Sequence, residues 1–126
     1  MSASTLPQTA ADTYRRVTIK SAGSYDRLGM ETLPALTPGP GEVVIDVAAT
    51  GVNYADCIVR MGLYASAKEF VGWPITPGFE VAGTVRAVGE GVDDLQPGAR
   101  VFAVTLFFGY ASQVKVARDK VFALPA

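Results

Sequence analysis

The sequence predicts a mainly β domain, built as a small barrel or a partly open sandwich. Many short segments alternate polar and apolar residues or are rich in β-branched residues, and turns rich in Gly and Pro separate them. One stretch alone is suited to a short helix, so the regular strand–helix alternation of a doubly wound nucleotide-binding fold is missing. With 126 residues, 49% of them hydrophobic, the chain is long enough for one domain with its own core.

Each predicted strand follows from its residue pattern. Residues 16–20 alternate polar and apolar side chains, as a half-buried strand does, and residues 43–49 form the clearest strand because they are β-branched and apolar. Gly83, inside a later strand, predicts a bulge or a close approach of two backbones. The predicted strands cover residues 16–20, 28–36, 43–49, 81–88, 101–106, 110–116 and 121–124.

The remaining segments are predicted as tail, helix and loop. Residues 1–12 are small and polar and are expected to form a flexible N-terminal tail, so the folded domain is expected to occupy residues 13–126. Residues 55–61 can form two helical turns with Ile58 and Met61 on one face. Residues 63–76 are predicted to be a long loop, closed by Pro74 and Pro77.

Composition excludes several classes of protein. The net charge is -1 without any basic patch, which argues against nucleic acid as a partner. No apolar run approaches the roughly 20 residues of a membrane span. The chain has one Cys and no His, so it cannot supply the ligands of an ordinary zinc site. The single Cys57 forms no internal disulfide and fits a reducing cytoplasm, where we expect the protein.

Two motifs resemble the active-site signature of the medium-chain dehydrogenase/reductase family. They are Gly51-Val52-Asn53-Tyr54-Ala55-Asp56 and Pro77-Gly78-Phe79-Glu80. In zinc-dependent members of that family, Cys stands at the position of Asn53 and His at the position of Phe79. The resemblance therefore indicates the zinc-free branch, that of the quinone oxidoreductases. Further matching motifs follow in order at residues 38–43, 60–64, 77–83, 88–92, 97–101 and 109–111.

The resemblance runs from about Tyr14 to Ala126 and implies an N-terminal catalytic domain of GroES-like, partly open β-barrel type. Residues 89–94 half resemble a dinucleotide fingerprint, but the third glycine is missing and Pro97 would break the following helix, so they predict a turn. This chain thus contains no Rossmann domain, and we expect the dinucleotide-binding domain to lie outside it. On that basis the isolated chain is expected to be inactive and, with uncovered strand edges, to associate as a homo-oligomer.

The family also implies a function and the residues that perform it. The expected reaction is reduction of a quinone or an activated enone by hydride from NADPH, without zinc. Negative charge develops on the substrate oxygen, and the available neutral donors are the Asn53 amide and the Tyr64 hydroxyl, which the resemblance places near the nicotinamide together with Tyr54. The substrate pocket is expected to contain Phe79, Trp73 and Phe70.

Simpler structural roles compete with these assignments. Asn53 follows a strand, where Asn commonly makes a local turn bond, and Tyr64 could pack on the barrel as a loop aromatic. Asp56 is expected to support the start of the helix as a hydrogen-bond acceptor. Glu80 would be costly if buried alone, so a structural partner such as Arg60 or Arg100 is expected.

Three other functions compete with quinone reduction. An enoyl-thioester reductase belongs to the same family. A stand-alone GroES-like binding or co-chaperone module would use residues 69–73 as a mobile apolar loop, but it gives the Asn53 motif no purpose. The third alternative is a membrane-associated trafficking protein. It is suggested only by the membrane association of some zinc-free relatives, since the sequence itself has no basic amphipathic segment.

Overall fold

The computed structural model describes residues 13–125 and consists of two antiparallel sheets with two short helices. The predicted N-terminal tail lies outside the described residues. One sheet pairs β1 with β2, and the other has five strands in the order β6-β3-β4-β5-β7. The mainly β, partly open barrel predicted from the sequence is confirmed. The elements are β1 (Thr13–Ile19), β2 (Leu28–Pro34), β3 (Glu42–Thr50), α1 (Tyr54–Arg60), α2 (Ala65–Phe70), β4 (Glu80–Val88), β5 (Arg100–Val104), β6 (Gln113–Ala117) and β7 (Val121–Ala123).

The main core lies on the inner face of the five-stranded sheet. Strand β3 is an interior strand that pairs with both β4 and β6, and its Val43 and Ile45 are completely buried. Burial of each such aliphatic side chain contributes about 1.5–3 kcal/mol. The other members of this core are Val81, Val85, Val92, Leu95, Val101, Ala103, Val114 and Val121.

Gly83 is a place where two backbones approach each other closely. It pairs with Val47 across β3 and with Val101 across β5, beside a register shift between Val47 and Ala49. A Cβ atom at this position would collide with the backbone carbonyl of Asp46. The predicted bulge or close approach is therefore confirmed, and the missing side chain is its physical cause.

Helix α2 corrects the prediction of one helix and a loop over residues 63–76. Its residues, Ala-Ser-Ala-Lys-Glu-Phe, include no β-branched side chain, and Ala67 is buried against the second core cluster. Gly72 ends it with φ of +76° and donates its N–H to the Ala67 carbonyl at 2.8 Å. The apolar stretch 69–73, needed as a mobile loop by the co-chaperone alternative, thus begins inside a helix.

The chain leaves the sheet after β5, which shortens two predicted strands. Phe107 and Phe108 have φ of +70° and +68°, a left-handed conformation that turns the chain away from the ladder. The strand predicted over residues 101–106 therefore ends at Val104. The strand predicted over residues 110–116 begins only at Gln113. The departing segment, residues 105–110, instead bonds to residues 76–79 through Thr105 N to Phe79 O, Phe108 N to Thr76 O and Tyr110 N to Pro77 O, each at 2.8–2.9 Å.

Candidate active site

Asn53 begins helix α1 and is held there by Asp56. The Asn53 N–H donates to Asp56 Oδ2 at 2.9 Å, and the Asp56 N–H donates back to the Asn53 carbonyl at 2.9 Å. Helix α1 then buries Val59 in the second core cluster. Asp56 therefore has the helix-start role expected from the sequence, and it fixes the backbone of the Asn53 position.

A second donor reaches the same carboxylate from a distant part of the chain. The Tyr110 hydroxyl donates to Asp56 Oδ2 at 2.6 Å. Asp56 is only 4% exposed, and its Oδ1 is buried without a hydrogen-bond partner among the residues described. Burial, and then the hydrogen bond to the Asp56 carboxylate, raise the pKa of Tyr110 well above its ordinary value. Tyr110 therefore stays protonated and donating at neutral pH.

Three aromatic rings pack against one another and form an apolar wall. The Tyr64 ring lies 5.7 Å from Phe79 and 6.0 Å from Phe107, and Phe79 lies 5.3 Å from Phe107, measured between centroids. Such tilted and edge-on pairs contribute about 0.5–1.5 kcal/mol each beyond their buried area. Tyr64 and Phe79, predicted separately as catalytic and pocket residues, thus lie in contact.

Phe107 is the member of this wall that sequence reasoning missed. It is 1% exposed and packs with Ile19, Val59 and Ile75 in the second core cluster. A signal for it was present, because Val101, Ala103, Thr105 and Phe107 are all buried and continue the two-residue alternation of β5.

The predicted pocket residues do not form one pocket. Trp73 and Tyr64 line a cavity of about 10 Å³, which has room for about one water molecule and none for a substrate. Phe79 instead lines an open groove of about 470 Å³ with Leu106, Phe107 and Phe108. Phe70, 68% exposed, lines neither space. Tyr54 is also 78% exposed, with its side chain directed to the surface.

The structural partner expected for Glu80, such as Arg60 or Arg100, is not found among the described residues. Glu80 is exposed at the start of β4, so water solvates its charge and no protein partner is required. Its side chain packs against Gly51, where a Cβ atom would collide with it, and its carbonyl accepts the Gly51 N–H at 3.1 Å. Arg60 donates to the Gly23 carbonyl at 3.2 Å. The ion pairs of the described residues are Arg16–Glu31, Arg86–Asp46 and Arg118–Asp94.

The site presents neutral donors. Asn53, Tyr54 and Tyr64, the residues expected near the cofactor, carry an amide and two phenols, which are neutral donors. Residues 89–92 make a turn, closed by a bond from Val92 N to Gly89 O at 3.2 Å, which confirms that they are not a dinucleotide fingerprint. Within residues 13–125, no cluster of three or more His, Cys, Asp or Glu side chains could bind a metal ion, and neither helix is long and apolar enough to cross a membrane.

Comparison with known proteins places this domain among redox enzymes and their relatives. Residues 39–125 match the family model of the alcohol dehydrogenase GroES-like domain. The synaptic vesicle membrane protein VAT-1 homolog of Rattus norvegicus is 38% identical over 113 residues, which are 88% of this chain and 27% of that protein.

Two solved structures show the same fold. Escherichia coli quinone oxidoreductase complexed with NADPH superposes with a TM-score of 0.81 and 28% identity, over 88% of this chain and 33% of that chain. The enoyl reductase CurK superposes with a TM-score of 0.81 and 32% identity, over 89% of this chain and 35% of that chain. This chain thus spans about a quarter to a third of the length of the relatives it matches.

Proposed function

Because this chain belongs to the medium-chain dehydrogenase/reductase family, as an N-terminal domain of the GroES-like type, we propose that it forms the substrate side of a zinc-independent oxidoreductase. The proposed reaction is NADPH-dependent reduction of a quinone or an activated enone by hydride transfer. The observation that carries the proposal is the contact of Tyr64 with Phe79, centroids 5.7 Å apart. Asn53 directly precedes helix α1 and Tyr64 directly precedes helix α2, so each helix starts at a residue of the matching motifs.

The side chains of this site would act on the substrate oxygen. Hydride addition leaves negative charge there, and a donor aimed at that charge stabilises the transition state. We assign this donation to the Asn53 amide and the Tyr64 hydroxyl. The phenol of Tyr64 would act chiefly as a hydrogen-bond donor, because a group with an ordinary pKa near 10 is a weak acid at neutral pH.

The apolar wall would exclude water from the reacting face. Phe79 and Phe107 are tied to one another both by ring contact and by the backbone bonds between residues 76–79 and 105–110. A rigid, dry wall strengthens every donor beside it, since the local dielectric is lower than in water. Phe79 also lines the open groove of about 470 Å³, which has room for a quinone or an enone, although neither Asn53 nor Tyr64 lines that groove.

NADPH would supply the hydride when bound. We propose that Asn53, Tyr54 and Tyr64 contact its nicotinamide end, and that a dinucleotide-binding domain outside this chain binds the remainder. Support comes from the neutral donor set of the site and from the similar quinone oxidoreductase, whose structure contains NADPH. The absence of His from the 126 residues and the single Cys support a zinc-independent reaction. A cytoplasmic location stays a prediction.

The experiment is a turnover assay of the protein as it is made in its source cell. NADPH oxidation is followed with a 1,4-quinone and, separately, with an enoyl thioester as acceptor, for wild type and for Asn53→Ala. We expect acceptor-dependent oxidation that falls about 10²- to 10³-fold in kcat when the Asn53 donor is removed. The preferred acceptor decides between the quinone and the enoyl-thioester alternatives, and full turnover of Asn53→Ala would refute the assigned role.

A further inference from the structure

One buried carboxylate connects the two halves of the candidate site. Asp56 Oδ2 accepts the Asn53 N–H at 2.9 Å and the Tyr110 hydroxyl at 2.6 Å. The first bond belongs to helix α1, and the second comes from the segment after β5. A second side-chain bond, from the Thr50 hydroxyl to the Gly109 carbonyl at 2.8 Å, joins the end of β3 to the same segment.

Tyr110 is well placed to fix that connection because its own main chain is held on both sides. Its N–H donates to the Pro77 carbonyl at 2.9 Å, and its carbonyl accepts the Val17 N–H at 2.9 Å. The neighbouring Gly109 packs directly against Gly78, leaving no room for a Cβ atom at either residue. Tyr110 therefore projects its hydroxyl from a backbone that cannot shift far.

The carboxylate needs this donor. Asp56 is buried, and its Oδ1 has no partner among the described residues, so the hydrogen bonds found for this carboxyl group are made through Oδ2. Loss of one of the two donors would leave the buried carboxylate with a single hydrogen bond. It would then rotate or recruit water, and either change alters the bond that fixes Asn53.

We propose that Tyr110 is a positioning residue for Asn53 and acts through Asp56. This inference rests on the proposed function, in which the Asn53 amide donates to the substrate oxygen. Tyr110 itself need not contact substrate or cofactor. Its role is to set the place of the Asn53 donor relative to the aromatic wall of Phe79 and Phe107, to which the Tyr110 segment is bonded.

The structural test uses the isotopically labelled chain and the amide resonance of Asn53. In Tyr110→Phe we expect this resonance to move, because its acceptor loses a second donor. The matched control is Thr76→Val, which removes a hydroxyl bond of 2.6 Å to the Val17 carbonyl from the same region without contacting Asp56. An Asn53 resonance that stays in place in Tyr110→Phe, or that moves as much in Thr76→Val, would overturn the proposal.

The functional test uses the protein made in its source cell and a double-mutant cycle. We expect Tyr110→Phe to lower kcat about 10- to 100-fold, the effect of a small misplacement, while KM changes little. In an Asp56→Asn background the same substitution should cost almost nothing further, because its route through the carboxylate is already lost. Independent, additive losses would contradict the proposal.

The two proposals can fail separately. If the Asn53 resonance moves in Tyr110→Phe while Asn53→Ala keeps full turnover, Tyr110 positions this residue but the catalytic role of Asn53 is wrong. If Asn53→Ala loses turnover while Tyr110→Phe changes neither resonance nor kcat, the proposed function stands and the positioning role is wrong.

Discussion

The hydroxyl of Tyr110 donates to the buried carboxylate of Asp56 at 2.6 Å, across 54 positions of sequence. This bond ties the first turn of helix α1 to the segment that leaves the sheet after β5. It joins a partly buried phenol to a buried carboxylate, and hydrogen bonds to carboxylates are among the stronger ones of a protein. The candidate site is therefore organised around a contact between two segments, and not around a single loop.

The Tyr110–Asp56 bond predicts an alkaline limit to stability. The pKa of Tyr110 is raised in the folded state above its ordinary value of 10.0, so folding favours the protonated phenol. The stability this provides is complete below pH 10 and is lost as the pH rises through the higher folded-state value. We expect Tyr110→Phe to lower the free energy of unfolding by about 1.5 kcal/mol at neutral pH, with a smaller difference from wild type at about pH 11.

Urea unfolding at both pH values measures this difference. Tyr25→Phe is the matched control, since Tyr25 is largely exposed and its loss should change stability little at either pH. A difference between Tyr110→Phe and wild type that grows with pH would show that the sign is wrong.

Phe107 and Phe108 allow the effect of side-chain burial on stability to be separated from the effect of backbone conformation. Both residues have a left-handed backbone conformation, but Phe107 is fully buried and Phe108 is 40% exposed. Phe107→Ala should cost about 3–5 kcal/mol, because it opens a cavity beside Tyr64 and Phe79, whereas Phe108→Ala should cost about 1 kcal/mol. Thermal or urea unfolding of the two variants makes the comparison, and equal losses would contradict the assignment of Phe107 to the core.

Gly83 and Gly29 give a second matched pair. An alanine Cβ at Gly83 would collide with the Asp46 carbonyl, while at Gly29 it would lie 3.4 Å from the Thr18 carbonyl, a contact close to ordinary. We expect Gly83→Ala to destabilise by about 3 kcal/mol and Gly29→Ala to change stability by about 0.5 kcal/mol or less. A tolerated Gly83→Ala, judged by the urea midpoint, would mean that β3 and β4 can separate locally.

The features that could be predicted from the sequence are those that depend on residues close together in the chain. The β-branched and apolar residues 43–49 identified strand β3, and the glycine at position 83 identified the close approach. The helix over 65–70 was missed because its only buried residue, Ala67, packs against residues distant in sequence. The same limit applies to the site, since nothing in one sequence connects Tyr110 with Asp56. The exposure of Glu80 likewise depends on where β4 begins in the sheet.

The outer face of β5 and β7 predicts association between copies. Phe102 and Phe122 stack there with centroids 5.1 Å apart, although they are 41% and 46% exposed. An exposed apolar pair on a sheet edge favours contact with another chain. Light scattering should show a mass that rises with concentration, and Phe102→Ser with Phe122→Ser should suppress the rise, whereas Tyr25→Ser should not. A constant monomer mass would refute this prediction.

The central claim is tested most directly by NADPH oxidation in the protein isolated from its source cell, with and without a chelator. The account predicts oxidation that requires a quinone or an enoyl thioester, persists after metal removal and falls at least about 100-fold in Asn53→Ala. Absence of acceptor-dependent oxidation, or its loss on chelation with recovery on adding zinc, would contradict the account.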